Sequence, residues 1–378
     1  MKTIWPDYDR SILSTLSALT GYFGVPLDHP PLAELAPFLA TKPRHVMLLL
    51  LDGMGGYPLK TILPETSYLR AHEVATVTSI FPPTTAAATT AYYCGQSALE
   101  SGWLGWHLYM KEFASDVIAF KRADYYTGHV LTGPFPAGEL IPYETVFERM
   151  KGVCGTHTLY AFDSYSEHGA DFRHRVSSFA DVLQTLKMIS RGDEMSFTIA
   201  YWNQPDAKMH RYGILAPETA AEFRALDRQL SALHGQLRDT LLIITADHGM
   251  IDTTGAVDVA KTPALLEPLV LPPSIEPRAA AFYVKSHRRA AFEAAFQELC
   301  GEDFRLFSRE EALASGLLGR GTPHPKLDDF LGDYLGVATG RRYFAFSLPG
   351  ERPGDRLIGQ HAGLTEEEML VSVLADRT

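Results

Sequence analysis

Seven short apolar runs punctuate the chain: HVMLLLL (45–51), VATVTSI (74–80), HTLYAF (157–162), SFTIAYW (196–202), TLLIITA (240–246), AAFYV (280–284) and YFAFSL (343–348). They are continuous rather than alternating, which suits strands of a sheet covered on both faces. Helical patterns lie between them. In PETAAEFRALDRQLSALHGQL (217–237), Ala220, Phe223, Leu226, Leu230 and Leu233 recur at spacings of three and four, which makes one helical face. Residues 288–299 and 365–375 read as helices in the same way. Strands alternating with helices predict an α/β fold, with a mainly parallel central sheet and helices on both its faces. A Pro-rich opening, LLEPLVLPPSIEP, changes the texture of the chain, and 262–345 reads as a small α+β subdomain inserted within a single 1–378 domain.

Composition narrows the class. Of the 378 residues, 46% are hydrophobic and 21% charged, the balance of a globular protein with a sizeable core. A net charge of −11 argues against binding a nucleic-acid duplex or an anionic membrane. The three cysteines, Cys94, Cys154 and Cys300, form no CxxC pair, which disfavours a thiolate zinc site and suits a reducing compartment. No run approaches the roughly 18 apolar residues of a membrane span, and MKTIWPDYDRSILSTL lacks the apolar core of a secretory signal. The expected location is the cytoplasm.

The chemistry gathers where apolar runs end. Asp52 follows LLLL at once, Asp206 follows SFTIAYW through Asn203, Gln204 and Pro205, and Asp247 closes LLIITA. In open α/β sheets the carboxyl ends of strands face the ligand crevice, so these three carboxylates converge. His210 lies four residues after Asp206, on the same helical face. His248 follows Asp247 directly, and Gly249 suggests a turn there. His361 sits between the glycines of IGQHAGLTEEEML, just before a helical pattern. Singly, each has a plainer explanation: a turn residue or cap, a surface pair, a structural histidine. Jointly, aspartates and histidines with no cysteine suit hard-to-borderline divalent ions. The stretch FPPTTAAATTAYYCG (81–95) adds hydroxyls at a helix start, where Thr84 or Thr85 is either a cap or a reactive group.

The motifs LLLLDGM, FPPTTAAATTAYYCG, YWNQPDAKMHRYG, ITADHGM and IGQHAG, in that order over residues 46 to 363, resemble the alkaline phosphatase superfamily, and within it the nucleotide pyrophosphatase/phosphodiesterase branch. The resemblance implies two divalent ions, with zinc expected and manganese the alternative. It implies Asp206, His210 and His361 around one ion. Asp52, Asp247 and His248 would surround the other, shared with the nucleophile hydroxyl. The family nucleophile is a threonine ten residues before a glycine, which selects Thr85 before Gly95 and leaves Thr84 as the cap. The implied reaction is phosphoester hydrolysis, most simply of a diester or nucleotide pyrophosphate, through a phospho-threonine intermediate. The implied partner is a small-molecule phosphate ester, a nucleotide among the candidates.

One departure stands out. Where the branch carries a phosphate-contacting asparagine, GWLGWHLYM places Trp106, with His107 and Tyr109 beside it. His107 is a candidate replacement donor, and the aromatics are candidates for stacking on a base or for packing the core. The rival readings are a phosphomonoesterase of the same superfamily and a catalytically silent phosphate- or nucleotide-binding protein. A sulfatase is disfavoured, because Cys94 stands in CGQSA rather than a CxPxR context. Asp163 ends a further apolar run without an assigned role, and the oligomeric state stays open.

Overall fold

The computed structural model describes residues 1–131, 141–161, 169–347 and 357–378; Asp163 lies outside them. A seven-stranded central sheet runs in spatial order Glu73–Thr78, Leu370–Arg377, Thr240–Thr245, His45–Leu51, Ser196–Trp202, Gly155–Tyr160, Phe172–Arg175. The five strands from Thr240–Thr245 to Phe172–Arg175 pair in parallel. Every residue of His45–Leu51 is buried, so both faces of the central strand are covered. Each leucine in it contributes roughly 1.5–3 kcal/mol by leaving water. The helix Pro217–Leu233 begins on its proline and buries Ala220, Phe223, Leu226, Leu230 and Leu233, the face its spacing predicts. No described helix is long and apolar enough to cross a membrane.

The exception to the parallel arrangement is the last strand. Residues 365–375, expected as one helix, form only the short helix Glu366–Met369 and then the strand Leu370–Arg377. The helix start is real: Thr365 and Glu368 make a capping box. Beyond it the chain enters a slot between Glu73–Thr78 and Thr240–Thr245, antiparallel to both. Two ladders of backbone bonds, and buried β-branched Val371 and Val373, outweigh the local helical pattern.

Two of the seven apolar runs also lie outside the central sheet. AAFYV overlaps the strand Ala279–Phe282 of a second sheet, and YFAFSL overlaps Arg342–Ala345, which pairs in parallel with Gly255–Asp258. The second sheet is antiparallel, in order Phe304–Ser308, Tyr334–Ala338, Ala279–Phe282, Ser274–Glu276, His107–Met110, Ser115–Ile118, Ala123–Asp124. Four of its strands come from the 262–345 stretch, and three come from a segment far upstream. Helix Arg289–Cys300 turns Phe292 and Phe296 into an aromatic cluster with Phe282, Phe304 and Phe344. The join between Ser274–Glu276 and His107–Met110 matters most, because it brings Glu276 beside Trp106 and His107 at the mouth of the central sheet.

Candidate functional site

Asp52, Asp206 and Asp247 all lie just past the carboxyl ends of parallel strands. The loops are tied to each other by backbone bonds: Asp52 N–H donates to Trp202 O at 3.0 Å, and Asp206 N–H to Asp52 O at 2.9 Å. Asp206 opens the helix Asp206–Tyr212, which carries His210 one turn on, and the facing atoms Nε2 and Oδ2 are 3.4 Å apart. Gly249 is required for space rather than for a left-handed turn, because a Cβ there would stand 2.0 Å from the Glu367 carbonyl oxygen. This close approach lets the Asp247–His248 corner nest against the helix Glu366–Met369, where Gly249 N–H donates to Glu368 O at 2.8 Å.

His361 follows the two-residue strand Gly359–Gln360, which pairs with Ile251–Asp252 just after the corner. A fully buried Arg278–Glu368 ion pair at 2.6 Å supports this loop from below, and Glu368 also accepts from Gly363 N–H at 2.8 Å. The His361 ring stacks on His248 with centroids 4.0 Å apart and meets His210 at 5.1 Å.

All six expected ligand residues therefore meet in one cluster. Ligand atoms of Asp206, His210 and His361 lie within 4.8 Å of one another, and so do those of Asp52, Asp206 and His248. Asp206 thus faces both groups. Asp247 Oδ1 is occupied by the N–H groups of Gly53 and His248, and its Oδ2 lies 3.5 Å from His248 Nε2. His210 Nδ1 meets Gly359 O at 2.8 Å, and His248 Nδ1 meets Gly249 O at 2.9 Å. A carbonyl only accepts, so each Nδ1 carries the proton and each Nε2 turns a lone pair into the cluster, the arrangement of a histidine metal ligand.

The electrostatics of the bare cluster are adverse. Burial, then the Asp247 charge, hold the Asp52 carboxyl well above the usual range; burial, then the Asp52 charge, do the same to Asp206. Burial pushes Asp247 up to about 6. Burial pushes the imidazole of His210 down to about 4 and lowers His248 and His361 as well, leaving neutral rings. Asp206 Oδ1, Asp247 Oδ2 and His361 Nδ1 are buried without a hydrogen-bond partner. Buried orphan acceptors and neutral imidazoles around concentrated carboxylates are what divalent cations satisfy, so the residues present fit the expected ions.

Thr85 is the first residue of the ten-residue helix Thr85–Cys94, and Gly95 closes it in the left-handed conformation at φ 73°. The Thr-to-Gly spacing is thus the length of one helix. The Thr85 hydroxyl lies 3.3 and 3.4 Å from the Asp52 carboxylate oxygens and 3.2 Å from His248 Nε2. Thr84 holds the N-cap position but makes no side-chain capping bond. Its hydroxyl instead donates to Glu276 Oε1 at 2.5 Å, and Trp106 N–H donates to the same oxygen at 2.7 Å. The first N–H groups of the helix, which have no partner within the helix, are left without a side-chain cap at the cluster.

A cavity of about 370 Å³ opens over Thr85, Asp206, His210 and His361, with Trp106 and His107 in its wall. Tyr109 is not part of that wall; its ring packs edge-on against Tyr283, with centroids 5.6 Å apart. Tyr109 shares the strand face of His107 but stands two residues, about 6–7 Å, further along the strand, beyond the cavity. His107 stacks flat on Tyr125 at 3.8 Å, which makes Tyr125 part of the wall.

Sequence reasoning missed Glu276, Tyr125 and Tyr201. The Tyr201 hydroxyl donates to Asp52 Oδ2. Strand register offers a signal for it, since Tyr201 pairs with Leu50, two residues before Asp52. Glu276 has no such signal in SIEPR. It reaches the cavity only because the second sheet joins distant segments, and burial raises its carboxyl to about 7.

A parallel-sheet α/β fold with acids and histidines gathered at its carboxyl edge defines an α/β protein with a candidate divalent-cation site. Residues 46–324 match the model of the type I phosphodiesterase/nucleotide pyrophosphatase family. The chain belongs to that family of phosphoester hydrolases. Among solved structures, murine ectonucleotide pyrophosphatase/phosphodiesterase 5, an inactive variant in complex with AMP, is similar at 17% identity and a TM-score of 0.64, over 88% of this chain and 87% of that one. The human counterpart gives 14% and 0.65 over 88% and 87%. Phosphonoacetate hydrolase from Sinorhizobium meliloti 1021, in complex with phosphonoformate, gives 16% and 0.64 over 89% and 90%. At these identities the likeness speaks for the fold. No curated protein matches the sequence.

Proposed function

We propose that this protein hydrolyses small phosphate diesters, nucleotide pyrophosphates included, with Thr85 as nucleophile at a site for two divalent cations. The observation that carries the reading is the Thr85 hydroxyl, 3.2–3.4 Å from both Asp52 and His248 at an uncapped helix N-terminus. Asp206, His210 and His361 would hold one ion, and Asp52, Asp247 and His248 the other, with Asp206 near enough to share. Three neutral imidazoles favour zinc, with manganese second. When bound, two dications would neutralise the carboxylates, acidify a hydroxyl and polarise phosphoryl oxygens.

The chain's own groups do the rest. Asp52 is placed to take the Thr85 proton, and Tyr201 orients that carboxylate from behind. Attack of the hydroxyl oxygen on phosphorus forms the Thr85–phosphoryl bond and breaks the ester bond to the leaving alcohol. The free N–H groups and dipole of helix Thr85–Cys94 receive the phosphoryl oxygens. Water then cleaves the phospho-threonine and regenerates the hydroxyl. The cavity of about 370 Å³ lies near the lower end of the roughly 300–1,000 Å³ typical of small-molecule sites, which suits one nucleotide-sized ester. Trp106 and the His107–Tyr125 stack form a wall on which a base or aromatic group can lie. AMP, which the murine relative is described as binding, is the kind of ligand this would accept. The compartment we propose is the cytoplasm, as unpaired Cys94, Cys154 and Cys300 suit a reducing environment.

A phosphomonoesterase is the second reading, favoured by Trp106 in place of an asparagine donor. Turnover of bis-p-nitrophenyl phosphate and p-nitrophenyl phosphate by wild type and Thr85→Ala tests both. The proposal expects diester preference and a loss of roughly 10³-fold or more in Thr85→Ala. Strong monoester preference selects the second reading, and full activity in Thr85→Ala removes Thr85 as nucleophile.

A further inference from the structure

A second group of metal-type ligands stands at the opposite end of the central sheet. It consists of His72, at the end of the short helix Tyr68–Ala71, His234, at the end of helix Pro217–Leu233, and Asp376, on the last strand. One ligand atom from each lies within 4.8 Å of the other two. Asp376 pairs with Leu242 on the strand that leads to Asp247. Five residues at about 3.3 Å each put this cluster roughly 16 Å from the phosphoryl site.

Its chemistry suits a cation. Asp376 is 4% exposed, and its ion-pair partners among the described residues are the two histidines alone. His72 Nδ1 meets the Tyr68 carbonyl at 2.8 Å, so it carries the proton. His72 Nε2 then presents a lone pair to Asp376 Oδ1 at 3.9 Å. A neutral ring nitrogen facing a carboxylate oxygen is repulsive unless a proton or a metal ion stands between them. The Tyr68 hydroxyl donates to Asp376 Oδ2 at 2.6 Å, which orients the carboxylate and leaves Oδ1 for another ligand. His234 Nδ1 approaches the same carboxylate at 2.9 and 3.0 Å, a contact in which a metal can replace a proton.

The scaffold is already tied. Ala375 N–H donates to His72 O at 3.0 Å, and Leu69 N–H to Asp227 on helix Pro217–Leu233 at 2.8 Å. Ligands at about 2.0–2.2 Å in a tetrahedron sit roughly 3.3–3.6 Å apart, so closing this group on one ion needs side-chain adjustment only. His234 is 53% exposed in its side chain, which leaves the remaining coordination position to water.

We propose that His72, His234 and Asp376 form a further divalent-cation site, zinc-type in its ligands, that clamps the last strand to the two helix ends. The site is distinct from the phosphoryl site and independent of the Thr85 reading. The test is isothermal titration of zinc into the full chain after chelator treatment, for wild type, His234→Ala and His72→Gln. Wild type should bind one equivalent more than either variant. A second measurement uses His361→Ala, which weakens the phosphoryl site. Zinc should still raise its melting temperature, and adding His234→Ala should reduce that rise. Equal zinc stoichiometry in wild type and both single variants, or an unchanged zinc-induced rise in the double variant, overturns the proposal.

Discussion

Glu276→Gln isolates the electrostatic cost built into the cavity wall. Burial lifts the Glu276 carboxyl from an ordinary 4.5 to about 7 in the folded protein, against the opposing pull of the Thr84 hydrogen bond and of His107. Folding therefore prefers the protonated acid. A group whose folded pKa lies above its unfolded value contributes stability that is complete below the unfolded value. That stability is lost as pH rises through the folded value. For Glu276 the loss begins near 4.5 and is complete above about 7. At about 1.36 kcal/mol per pH unit, the rise amounts to about 3 kcal/mol.

Glutamine keeps an oxygen for the Thr84 and Trp106 donors and cannot ionise. Urea unfolding of chelator-treated wild type and Glu276→Gln from about pH 5 to pH 9 measures the difference. The contributions of Asp52, Asp206 and Asp247 are common to both proteins and cancel. The stability difference should grow in favour of glutamine by about 3 kcal/mol across the window. A difference that is flat with pH, or that grows in favour of wild type, refutes the placement of Glu276 as a buried, proton-holding wall residue.

Two further outcomes follow from the same geometry. Arg278→Ala leaves Glu368 as an unpaired buried carboxylate beneath the His361 loop. It should cost about 3–5 kcal/mol in urea unfolding and weaken zinc binding at the phosphoryl site. Chelation should abolish phosphoester turnover, and added zinc should restore it; activity that survives metal-free dialysis would contradict the ion-binding assignment of the six-residue cluster.

The local signals in the chain were reliable wherever the structure's demand was also local. The continuous apolar runs became strands, and the three-and-four spacing of 217–237 became a helix with the expected face. Thr85 and Gly95 mark the two ends of one helix. Asp52, Asp206 and Asp247 were legible as a group because strand ends in a parallel sheet share one edge. Local signals failed where remote partners intervened. Leu370–Arg377 is a strand because two other strands flank it. Thr84 looks like a cap, yet its hydroxyl turns to Glu276, a residue 192 positions away.

By itself, then, the sequence determined the fold class and the acids and histidines that gather at one sheet edge, because these follow from short periodicities and from chemistry at chain turns; the choice of Thr85 over Thr84 came from the family resemblance. Only the tertiary structure decided that Asp206 faces both ligand groups, that Trp106 and His107 wall the cavity while Tyr109 does not, and that Glu276 closes it. It alone assembled His72, His234 and Asp376, which stand 162 and 142 residues apart along the chain. Such contacts depend on which segments pair across the sheets, and pairing between distant segments leaves no periodic trace in either segment alone.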